Sequence, residues 1–181
     1  MMPEISLNIM DLAENCIRAE ATLVEIALDE NIKTDILSVK IIDNGKGMTD
    51  EFVKQITNPF ITTRTTRKVG LGIPFVKQIA DMCEGELKID STEGVGTTIS
   101  FSMKLSHIDR PPVGNIANTI HSLIVLNPEI DFSFSYTVDE EEFKIETKAW
   151  KEILGEIPIN ELSISTALKK EITEGLKKIG R

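Results

Sequence analysis

Four short segments follow one another in a fixed order: DLAEN at residues 11–15, DNGKGM at 43–48, VGLGIPFVKQI at 69–79 and EGVGTT at 93–98. Each falls where one kind of secondary structure gives way to another. A lone glycine motif recurs by chance in unrelated chains. Four of them in register restrict the chain to a fold that gathers helix, strand end, loop and hairpin around one pocket.

The local patterns supply those elements. Residues 4–20 contain no interior Gly or Pro, and place Ile5, Ile9, Leu12, Ala13, Cys16 and Ile17 on one broad helical arc. Asn8, Asp11, Glu14, Asn15 and Arg18 share the other side, which reads as a solvated face carrying the first motif. Strand-like runs at 23–28 and 37–43 are joined by a polar connection at 31–35. A lid-like segment over 50–69 precedes a helix at 73–83 and strands at 86–90 and 97–105. In the last strand Ile99, Phe101, Met103 and Leu105 alternate with polar residues, the signature of a sheet with one buried face. Pro111 and Pro112 break the pattern. A helix at 116–126, a hairpin at 131–147 with a polar turn at 139–142, and a helix at 165–179 follow.

The chemistry of the motifs points to a nucleotide. Asp11 and Asn15 are four residues apart and face one way from the helix. Magnesium keeps several waters and takes oxygen ligands, so one amide oxygen with the phosphates suffices to complete its shell, and Asn15 fits that need. Asp43 closes an apolar strand, where its carboxylate suits the exocyclic amine of adenine and opposes the carbonyl of guanine. Gly45 and Gly47 permit the tight backbone beside it. Gly70, Leu71 and Gly72 lead into a helix with Pro74 in its first turn, and free N–H groups at such a start bind phosphate. Arg64, Arg67 and Lys68 form a basic cluster next to this cradle.

Taken together, residues 4–105 resemble the GHKL superfamily, the ATP-binding fold shared by gyrase, heat-shock chaperone, histidine kinase and MutL proteins, with its N, G1, G2 and G3 boxes. The resemblance implies an α/β two-layer sandwich, a mixed sheet with helices on one face, binding ATP and Mg2+. It implies magnesium at Asn15 and a general base at Asp11, where many relatives carry the longer Glu. Residues 58–68 resemble the lid of histidine kinases, which adds Phe60, Thr63 and Arg64 to the nucleotide contacts, with Met48 contributing from the G1 box. A Thr of the last box supports the adenine-binding Asp in the family; Thr97 is assigned here, although sequence does not separate it from Thr98. The segment SHIDRPP is superficially similar to a phosphoacceptor box, but it follows the last strand and runs into Pro-Pro, so His107 reads as an exposed linker residue.

The expected organisation is an ATP-binding domain over residues 1–106, a linker at 107–113 and a small α+β region at 114–181, the last faintly similar to the start of the second domain of MutL-type ATPases. A formal net charge of −9 disfavours nucleic acid and anionic membranes, and no apolar run approaches a membrane span. Cys16 and Cys83 have no metal or redox spacing and read as buried, reduced thiols. The chain is expected to be cytoplasmic, with a regulatory protein partner and with a homodimer compatible with the resemblance. It would be a stand-alone kinase or a kinase fragment acting in trans, moving the terminal phosphoryl group to that partner or to water; the alternative is an ATP-gated switch without turnover.

Overall fold

The computed structural model describes residues 4–57 and 72–181. Within them α1 (Ile5–Arg18) precedes β1 (Leu23–Asn31), β2 (Ile36–Asp43) and α2 (Asp50–Thr57); α3 (Gly72–Met82), β3 (Leu87–Thr92), β4 (Gly96–Lys104) and α4 (Ile116–Leu126) follow. The chain continues through β5 (Asp131–Val138), β6 (Glu141–Glu146), α5 (Thr147–Leu154) and α6 (Leu162–Lys178).

The six strands make one sheet in the order β3-β4-β2-β1-β5-β6. All pairs are antiparallel except β1 with β5. The register aligns apolar residues across all six strands: Ile89, Ile99, Ile41, Ile26, Phe134 and Ile145 form one such row. Burial of Ile99, Ile41, Ile26, Phe134 and Ile145 stabilises the fold by about 1.5–3 kcal/mol each, and Ile89 is partly buried. The alternate positions Glu25, Lys40, Lys88 and Lys144 are exposed on the opposite face. Helices α1, α3, α4 and α6 pack over the apolar face, completing the two-layer α/β sandwich expected from sequence.

Residues 107–113 do more than connect. Helix α1 has no side-chain cap at its start; instead Ile5 and Ser6 donate their N–H groups to the carbonyls of Pro112 and Val113, at 2.9 and 2.8 Å. Donors that a helix leaves without acceptors are thus satisfied by the crossing segment. The hairpin that follows extends the same sheet by pairing with β1, and α4 packs against α1.

Four local expectations are corrected. Residues 50–57 form a helix, with Ile56 buried, where a lid was expected. The hairpin ends at Glu146, because Thr147 starts α5 and its buried hydroxyl accepts the Phe132 N–H at 2.8 Å. Asn8 is 2 % exposed, so the polar arc of α1 is not wholly solvated. His107 lies in the turn after β4 with its side chain only 18 % exposed, between Glu84 and Asp109, and is not an exposed linker residue. Cys16 and Cys83 are buried free thiols, as expected.

Candidate functional site

One end of the sheet carries polar residues on its helix-covered face. Ser91, Thr97 and Asp43 lie side by side across β3, β4 and β2, and Val24 and Phe132 continue the row through β1 and β5. Strand pairing places Thr97 directly beside Asp43, whereas Thr98 pairs with Ile42 and Asp90 on the other face. The period of two therefore separates the two threonines that sequence alone left together.

Asp43 is 8 % exposed at the end of β2. Its Oδ1 accepts the Gly45 N–H at 2.8 Å, the one backbone donor to this carboxylate among the described residues. The loop that follows is held on both sides. Lys46 N–H donates to the Ala19 carbonyl at 2.8 Å and Gly94 N–H to the Lys46 carbonyl at 2.7 Å. Asn44 Oδ1 accepts from the Thr22 and Leu23 N–H groups, both at 2.9 Å. Gly47 has φ +65°, and a Cβ there would lie 2.0 Å from the Thr92 carbonyl oxygen; only glycine fits. At Gly45 a Cβ would come within 2.6 Å of the Ala19 carbonyl oxygen. Ser91 Oγ accepts the Met48 N–H at 2.8 Å and bonds Thr97 Oγ1 at the same distance, tying the G1 loop to β3 and β4.

A cleft of about 190 Å³ opens between this row, α1 and α2. Asn15, Asp43 and Thr97 supply its polar edge, and Met48, Phe52, Ile56, Ile73 and Ile99 its apolar walls. Cys16 also faces it. Burial first, then the neighbouring Asp43 carboxylate, pushes the Cys16 thiol well above its ordinary range, so it stays protonated. Asn15 is half-buried, and among the described residues its Oδ1 meets only a long contact of 3.5 Å from Arg18, which leaves lone-pair capacity on the oxygen.

Of the residues selected from sequence, Asn15, Asp43, Gly47, Met48 and Thr97 line this cleft, and Gly45 abuts Asp43. Gly72 begins α3 against α1: a Cβ there would lie 3.1 Å from Asp11 Cβ. Asp11 itself is exposed and stands outside the cleft lining, one helical turn from Asn15. Phe60, Thr63, Arg64, Gly70 and Leu71 lie outside the described residues. Sequence reasoning missed Arg18, Phe52, Ile73, Ile99 and Ser91. Arg18 shares the polar arc of α1 with Asn15, a signal that was present; Ser91 is picked out only by the pairing of β3 with β4.

Residues 4–107 match the family described as histidine kinase-, DNA gyrase B-, and HSP90-like ATPases. The chain belongs to that family. This ATPase domain is 31% identical over 107 residues to a sensor histidine kinase NtrY-like protein of Rickettsia conorii, covering 59% of this chain and 17% of that protein. It is 30% identical over 111 residues to the non-motile and phage-resistance protein of Caulobacter vibrioides, covering 56% and 13%. The chain spans less than a fifth of the length of these curated relatives. The ATPase domain of Aquifex aeolicus MutL, solved with ADP, superposes with a TM-score of 0.53 at 15% identity, covering 96% of this chain and 70% of that one. That likeness reaches past the family match into the last five elements and concerns the fold. No helix among the described residues is long and apolar enough to cross a membrane.

Proposed function

We propose that the chain is an ATP-dependent regulatory protein that binds Mg-ATP in this cleft and transfers the terminal phosphoryl group to a partner protein or to water. The observation that carries the reading is Asp43: a nearly buried carboxylate at a strand end, one oxygen held by the Gly45 N–H, lining a largely apolar cleft. A charged acceptor so placed favours an amine and disfavours a carbonyl, which selects adenine. Thr97 and Ser91 support it from the neighbouring strands. The free amide oxygen of Asn15 fits one position in a magnesium shell otherwise made of water and phosphate oxygens. Gly72 starts α3 with first-turn N–H groups that suit phosphate, and Gly70, Leu71, Phe60, Thr63 and Arg64 belong to the same proposed nucleotide contacts. A cytoplasmic setting and a regulatory protein partner complete the proposal, with residues 1–106 as the nucleotide-binding part and 114–181 as its appended region.

Asp11 is the candidate general base. It would take the proton of the attacking hydroxyl or water as the new bond to the terminal phosphorus forms and the bond to the leaving diphosphate breaks. Its substitution by Asn should lower turnover about a hundredfold to ten-thousandfold while leaving ATP affinity nearly unchanged. Phosphate release and partner labelling by the wild type and Asp11→Asn measure this. The exposure of Asp11, outside the cleft lining, favours a second reading in which ATP gates partner binding without turnover. Nucleotide-dependent capture of a partner with neither phosphate release nor labelling would select the switch.

A further inference from the structure

The hydroxyl of Ser91 has three polar neighbours and a single hydrogen. Its Oγ lies 2.8 Å from the Met48 backbone nitrogen, 2.8 Å from Thr97 Oγ1 and 3.1 Å from the Gly96 carbonyl oxygen. A hydroxyl offers one donor and two acceptor lone pairs. The Met48 N–H can only donate, so it takes one lone pair; the Gly96 carbonyl can only accept, so it takes the hydrogen. Thr97 is left with the second lone pair and must donate to it. The reverse assignment, Ser91 donating to Thr97, would set the Ser91 and Gly96 oxygens against each other at 3.1 Å with no hydrogen between them. One arrangement alone satisfies all three contacts, and it saturates Ser91.

The consequence falls on Thr97. This residue is 8 % exposed, lines the cleft, and pairs with Ser91 on one side and Asp43 on the other. Ser91 Oγ is the one hydrogen-bond partner of Thr97 Oγ1 among the described residues. With its hydrogen spent there, the Thr97 oxygen has only lone pairs to offer the cleft. The neighbouring Asp43 carboxylate likewise only accepts. Two acceptors on adjacent strands suit a group that carries two hydrogens on one atom. A primary amine does so, and a carbonyl carries none.

We infer that Ser91 is a specificity-determining positioning residue: it draws the Thr97 hydrogen onto itself and so makes Thr97 the second acceptor, beside Asp43, for the two hydrogens of the adenine amine. This rests on the ATP-binding reading above. Ser91 acts through Thr97 and lies outside the cleft lining itself.

The test is calorimetric titration of wild type, Ser91→Ala, Ser91→Cys and Ser91→Thr with the magnesium complexes of ATP and of inosine triphosphate, which carry an amine and a carbonyl at the 6 position. Loss of the Ser91 hydroxyl releases the Thr97 hydrogen, which can then turn to the inosine carbonyl. The preference for ATP should fall about fivefold in Ser91→Ala, the scale of one neutral hydrogen bond. Ser91→Cys, whose sulfur fills the space but accepts weakly, should show a similar fall and carries the test if the Ala variant does not fold. Ser91→Thr keeps the hydroxyl and should keep the preference. A side chain that merely braced the Met48 loop would, when removed, weaken both nucleotides alike. Folded Ala or Cys variants with the wild-type ratio would therefore overturn the inference, as would a Thr variant that loses it. Equal binding of the two nucleotides by wild type would overturn it while leaving ATP binding in place. Wild type that binds neither would overturn the ATP-binding reading itself, and the inference with it.

Discussion

The helix-covered face of the sheet buries a carboxylate at each end, and the two are treated in opposite ways. Glu30, at the far end of β1, is 2 % exposed and fully engaged: the Tyr136 hydroxyl donates to one oxygen and the Arg181 guanidinium pairs with the other. Burial, and then the Glu30 carboxylate, push the Tyr136 hydroxyl well above its ordinary range, so it remains a donor. Gly180, at φ +77°, turns the chain after α6 so that the Arg181 side chain returns to β1. Asp43, at the near end, has one backbone donor and an open cleft. A carboxylate with its partners complete holds elements together; one that lines an open cleft is, on the proposal above, a place for a ligand.

Substitution should separate the two roles. Arg181→Ala leaves the Glu30 carboxylate buried and unpaired, and should destabilise the protein by about 3 kcal/mol, toward the lower end for broken buried pairs because Arg181 keeps part of its side chain in solvent. ATP affinity measured on the folded fraction should not change. Asp43→Asn should do the reverse, weakening ATP binding by about 1.5–3 kcal/mol with a small change in melting temperature. Paired denaturant melts and calorimetry check both, and a common loss of stability and affinity in either variant would break the distinction.

A smaller effect is expected at Asn15. Its replacement by Ala removes the amide oxygen but no buried packing, so ATP should still bind while the gain from added magnesium disappears. Titrations with and without magnesium measure this directly. The smallest effect concerns Cys16. Because its thiol is held protonated by burial and by Asp43, alkylation by iodoacetamide at neutral pH should be slow, and slower again with Mg-ATP in the cleft.

The parts of the molecule legible in sequence are those set by local periodicity or by residue chemistry. Helix α1, strands β1, β2 and β4 and helix α4 follow from patterns that need no tertiary information, and Asp43, Gly47 and Asn15 follow from motif chemistry. What was not legible depends on distant partners. The parallel pairing of β1 with β5 joins residues more than a hundred positions apart, so a region that reads as an appendage completes the sheet. Helix α2 was hidden because its polar surface resembles a loop, while its anchor Ile56 is buried only by tertiary packing. Asn8 reads as a solvated residue, and only the packed fold shows it buried. Ser91 becomes part of the site only through its register with Thr97.

On the proposed function, the Asp43 end of the sheet is an adenine-selective ATP site. Thermal unfolding of the wild type with increasing Mg-ATP or Mg-GTP tests it most directly. Ligand bound only to the folded state should raise stability by about 2.7 kcal/mol at a hundred times its dissociation constant. Stability should rise clearly with ATP, lose that rise in Asp43→Asn, and respond little to GTP at the same concentrations. No response to ATP, or an equal response to GTP, would contradict it.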